Sequence, residues 1–120
     1  MIAWLWSKRE GVFSHETALA LHDLSDVLPA KQHLTTPKNW EQKRLRVPAA
    51  LILHFGDISQ TETAWVGAVP VTTPLRTLAD CANNDTPREF LEQAVKQGAK
   101  RGLFARTEAK RAIARRSRPT

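Results

Sequence analysis

A chain of 120 residues, 42% hydrophobic and 25% charged, has the size and balance of one globular domain and excludes a disordered or fibrous protein. Its longest apolar run, residues 47–53, contains Pro48 and falls far short of the roughly 20 residues that span a bilayer. The start, Met1 to Trp6, lacks the basic region and cleavage site of a secretory signal, so a cytoplasmic location and no membrane partner are expected. The lone Cys81 excludes an intrachain disulfide and a cysteine-rich zinc site. The net charge of +6 is unevenly placed: residues 1–95 carry a net of −2, and residues 96–120 carry nine basic residues against Glu108 alone. Such a basic block suits nucleic acid, an acidic protein or a solvated helix.

The first thirteen residues have room for one short helix or strand bearing Trp4 and Trp6. Ser14 has the chemistry of an N-cap whose hydroxyl takes a free amide of the next turn, predicting a short helix over 15–23. Residues 32–36 are β-prone and end at Pro37, and a polar basic loop runs from Lys38 to Arg46. Ala49 to Phe55 is a compact apolar run expected to form the central strand. Residues 64–66 and 69–72 form two extended pieces around a glycine turn, with Pro70 expected to keep its piece at a sheet edge, where the Val69–Val71 segment could pair with another chain.

Three helix starts follow. Thr73-Pro74 is an N-cap with proline at the first helical position, Leu75, Leu78, Ala79 and Ala82 line one face, and Asn83-Asn84 closes the helix. Thr86 to Glu89 has the letters of a capping box, ahead of the stripe Phe90, Leu91, Ala94, Val95 and Ala99, with Glu92 and Lys96 paired on the other face. Gly102 is the natural C-terminal stop, and Thr107 opens a last helix with a thin apolar face. The expected fold is α+β: a small mixed or antiparallel sheet flanked by an N-terminal helix and three C-terminal helices. One domain covers residues 1–116, and 117–120 form a disordered tail.

No catalytic constellation, cofactor motif or metal site is expected. His15 and His22 are seven residues apart, not the four-residue step that lets two imidazoles share an ion, and His33 and His54 are expected to meet at most across neighbouring strands. Glu108-Ala109-Lys110, with Asp57 or Asp80, has the letters of a magnesium nuclease but lies in a helical pattern; a small nuclease or protein-modifying enzyme is the minor alternative. Cys81 reads as a helix side chain rather than a nucleophile. Arg76 and Asp80 stand one helical turn apart and can pair. Trp40, if exposed in its polar loop, is the best partner hot spot among the tryptophans.

The segments from Ser14 to Leu24, Leu34 to Pro37 and Val69 to Asp80, supported by residues 92–96 and 101–104, together resemble the AbiEi family of antitoxins. The resemblance implies a cytoplasmic, type IV toxin–antitoxin protein of abortive phage infection that counteracts a nucleotidyltransferase toxin. In that family a winged helix-turn-helix precedes this domain and acts as a transcriptional regulator. Thirteen residues before Ser14 are too few for it, so the antitoxin domain alone is expected. Ser14, His15, His22, Thr73 and Pro74 match the family motif, as do Arg76 and Asp80. Candidate contacts to toxin, or to DNA or RNA, are Arg76, Asp80, Lys96, Lys100, Arg101, Lys110, Arg111, Arg115 and Arg118. The alternative reading is a nucleic-acid-binding regulator that uses the basic C-terminal helix.

Overall fold

Turn and cap residues divide the chain into short elements, which a computed structural model describes for residues 4, 6–8 and 10–117, the side chains of residues 115–117 apart. In chain order these are β1 (Val12–Phe13), α1 (His15–Leu21), β2 (Gln32–Thr36), a 3-10 turn (Lys38–Gln42), β3 (Leu51–Phe55), a second 3-10 turn (Gln60–Glu62), β4 (Thr63–Val66), β5 (Val69–Thr72), α2 (Pro74–Asn83), α3 (Arg88–Lys100) and α4 (Arg106–Ser117). Helices and a five-stranded mixed sheet make the fold α+β. No helix among the described residues is long and apolar enough to cross a membrane. Ser117 is the last residue of α4, and the rest of the expected tail, 118–120, lies outside the described residues.

The strand order is β3-β2-β1-β5-β4. β1 runs antiparallel to β2 and parallel to β5, β2 and β3 are parallel, and β4 and β5 form an antiparallel hairpin. Two expectations are corrected. The apolar strand β3 is an edge strand, not the central one; the centre is the two-residue β1, too short to leave a periodic signal. Pro70 lies in an interior strand, with both neighbours of β5 already in place, so the Val69–Val71 segment is not an edge open to another chain. The proline is tolerated because β1 meets β5 through the single pair Phe13–Val71, which leaves the missing Pro70 amide little ladder to break. Gly67, at φ 62°, supplies the left-handed residue of the two-residue loop between Val66 and Val69.

Local signals placed the helices well, but hydroxyl caps did not form as expected. Ser14 and Thr73 stand at cap positions without a side-chain cap bond. α3 begins at Arg88 with Pro87 at its cap, so the Thr86 capping box is not made and Thr86 is buried instead. Glu92 pairs back to Arg88 at 3.1 Å rather than forward on the helix. The C-terminus of α3 closes as a Schellman turn: the Gly102 amide (φ 74°) donates to the Ala99 carbonyl and the Leu103 amide to the Gly98 carbonyl. α4 starts at Arg106, and the Ala105 amide donates to Glu108 Oε1 at 2.8 Å.

Two apolar clusters hold these layers together. Leu19, Leu24, Leu78, Leu91, Ala94, Phe104 and Ala109 pack between the helices, and Phe13, Ala18, Leu34, Leu51, Val69 and Val71 pack on the sheet. α1 belongs to both through its adjacent Ala18 and Leu19. Gly98 is required where Phe104 crosses α3, since a Cβ there would strike the ring.

Candidate functional site

The stretches around His22 and from Thr72 to Asp80, which carry the resemblance, meet at the seam between α1, β5 and α2. His22, just after α1, donates from Nε2 to the Thr72 carbonyl at 2.7 Å. The Thr72 hydroxyl lies 2.7 Å from the Thr77 hydroxyl, which is 2.8 Å from the Thr73 carbonyl. One turn further on, Arg76 Nε donates to both oxygens of Asp80, at 3.0 and 3.1 Å, and Arg76 Nη1 donates to Glu62 at 3.0 Å. The expected Arg76–Asp80 pair therefore forms, with Glu62 as a partner that sequence reasoning missed because it comes from the turn before β4. Asp80 is buried at 7% exposure and Arg76 nearly so, while the half-exposed Glu62 closes the triad on its solvent side. Burial opposes the Arg76 charge, but Asp80 and then Glu62 outweigh it and raise its pKa. A cavity of about 300 Å³ opens beside the triad, lined by Glu62, Arg76, Glu108 and Arg111.

Next to this seam lies a constellation that the sequence reading did not assemble. His15 at the head of α1, His33 on β2 and His54 on β3 stack with nearly parallel rings. The His15 and His54 centroids are 3.6 Å apart, and His33 Nδ1 is 2.9 Å from His54 Nε2. One ligand-capable atom from each ring falls within 4.8 Å of the others. The parallel register sets Thr35 opposite His54 and Ile52 opposite His33, so both histidines share one face of the sheet. His15 reaches them because its backbone is left-handed at φ 55°, an uncommon state for a residue with a Cβ and one concentrated at functional sites. Ser14 turns its hydroxyl away from the helix amides, 2.7 Å from the Thr35 hydroxyl and 2.8 Å from His15 Nδ1. Its expected role as a helix cap is thereby replaced by orientation of His15.

Burial keeps these rings neutral. Desolvation first, then the neighbouring histidines and Arg76, push His15 down to about 3. Desolvation and His33 push His54 down to about 4, and His33 and His22 are also lowered, chiefly by burial. The seven-residue separation does keep His22 out of the cluster; what it could not reveal was that His15 belongs with residues 18 and 39 positions away.

The basic surface is divided among different jobs. Lys96 and Lys110, with Arg88 and Arg106, rim a groove of about 510 Å³ between α3 and α4, floored by Leu91, Val95 and Ile113. Arg111 lines the cavity beside Arg76, away from that groove. Arg101 donates to the carbonyls of His22 and Asp23 at 2.7 and 3.2 Å and closes the end of α1. Lys100 is exposed; the Arg115 side chain and all of Arg118 lie outside the described residues. Of the nuclease letters, Glu108 accepts from the Ala105 amide and lines the cavity beside Arg76, which Asp80 holds, whereas Lys110 rims the α3–α4 groove and Asp57 accepts from the Lys38 amide at 3.2 Å. Cys81 is buried, and desolvation pushes its thiol up to about 12. Trp40 is not the exposed hot spot: it is 5% exposed, edge-on to Trp6 with Lys43 over its ring, whereas Trp65 is 63% exposed.

No protein-family model matches the chain, and no curated protein matches it.

Proposed function

We propose that this chain is an AbiEi-like antitoxin domain that acts in the cytoplasm to counteract a nucleotidyltransferase toxin. The observation that supports this reading is the convergence of the motif stretches: His22 reaches Thr72, and the Thr72–Thr77 contact leads directly to the Arg76–Asp80–Glu62 triad. These short hydrogen bonds join the two halves of the motif into one folded unit. The α3–α4 groove, basic at its rim and apolar in its floor, supplies the contact surface, suited to an acidic amphipathic segment of the toxin. Co-expression of the chain with the neighbouring nucleotidyltransferase tests the reading. Restored growth is expected, and Lys96→Glu with Lys110→Glu should weaken it; continued growth arrest with the folded wild-type chain would overturn the proposal.

The charge distribution favours one second reading, a nucleic-acid-binding regulator working through α3 and α4. It requires affinity that falls steeply with salt as phosphate contacts release counterions. A filter-binding series over rising salt, with no retention of DNA or RNA at moderate ionic strength, would remove it.

A further inference from the structure

We propose that His15, His33 and His54 form a binding site for a divalent first-row transition ion, with zinc the natural occupant. Three elements bring three imidazoles to one point, and their ligand-capable atoms lie within 4.8 Å of one another. Zinc–nitrogen bonds of about 2.0–2.1 Å place tetrahedral nitrogens about 3.3 Å apart, so the 2.9 Å His33–His54 pair needs only slight opening. Atoms as far apart as 4.8 Å must close by about 1.5 Å to reach that tetrahedral spacing. His54 can supply that movement by ring rotation, since it sits half-buried on the edge strand β3.

The surroundings match what a ligating histidine needs. His15 Nδ1 faces the Ser14 hydroxyl, which in turn meets Thr35, and this chain fixes the ring and leaves Nε2 for the ion. Imidazole binds metals as the neutral base, the form that burial already imposes here. The proton shared by His33 and His54 moves to the far nitrogen of the ring that carries it when the ion takes its place, so no proton is released. An all-nitrogen set selects zinc, copper, nickel or cobalt over magnesium and calcium, which require oxygen ligands. Three protein ligands leave one coordination position for water or for a donor from a partner.

The site is independent of the antitoxin reading and is tested on the purified, untagged, full chain. Titration with zinc alone is expected to show one ion per chain at micromolar Kd or tighter, and cobalt alone to give the intense visible bands of a four-coordinate ion. His33→Ala and His54→Ala should each weaken binding at least tenfold, Ser14→Ala about tenfold through loss of ring orientation, and His22→Ala not at all. Circular dichroism checks that each variant folds. Should a variant not fold, the wild-type cobalt spectrum decides alone. No binding by the wild type, a six-coordinate cobalt spectrum, or affinity that survives removal of His54 but disappears with His22 would each overturn the proposal.

Discussion

The seam between the sheet and α2 and the outer face of α3 and α4 treat charge and polarity in opposite ways. At the seam, polar groups are sunk and matched: Arg76 between Asp80 and Glu62, His22 on Thr72, and Ser14 between Thr35 and His15. On the outer face, Lys96, Lys100, Arg106 and Lys110 stand in solvent. The same side-chain chemistry thus fixes structure in one region and leaves a solvated basic surface in the other, and burial makes the difference. A desolvated charge is costly once its counter-charge is gone, whereas a solvated one is exchanged almost freely.

The strongest break in that contrast comes from Arg76→Ala. Removing the guanidinium from beside a buried carboxylate should cost about 3 kcal/mol in denaturant unfolding, and a loss near zero would make the triad a surface feature after all. Gly98→Ala probes the apolar packing beneath the outer face, where the added methyl strikes Phe104; about 2 kcal/mol of destabilisation is expected by the same assay. Acid sharpens the seam further. His15 and His54, at about 3 and about 4 when folded against 6.5 in the unfolded chain, refuse protons that the unfolded chain takes up. Metal-free protein therefore keeps its full stability above about pH 6.5 and loses it as pH falls through the window toward those values. Thermal melts should show Tm dropping across that range, with a shallower drop in His54→Gln. The smallest effect belongs to the outer face: Lys96→Glu with Lys110→Glu should leave stability within about 0.5 kcal/mol of wild type, while weakening the growth rescue that the proposed antitoxin function requires.

What was legible in the sequence was local. Thr73-Pro74 marked the start of α2, Gly102 the end of α3, and the Arg76–Asp80 spacing their ion pair, because each depends on residues within one or two turns. Sheet order was not legible. Val12–Phe13 carries no strand pattern, yet it takes the central position because tertiary packing around Phe13 decides the matter. The histidine cluster escaped for the same reason: two members are paired by strand register, and the third arrives through a left-handed backbone that no residue preference announces. Ser14 and Trp40 were misjudged because a hydroxyl or an indole near a loop has several available partners, and only the folded chain selects among Thr35, His15 and Trp6.

The brevity of β1 has a consequence for how the molecule assembles. Among the described residues, Phe13 alone pairs with both β2 and β5, and so joins the β2–β3 pair on one side to the β4–β5 hairpin on the other, and its partner Val71 lies nearly half the sequence away. The hairpin forms from neighbours and closes quickly, whereas the Phe13–Val71 junction must wait for the intervening chain to be ordered. That junction therefore carries the largest loop-closure entropy of the strand pairings among the described residues.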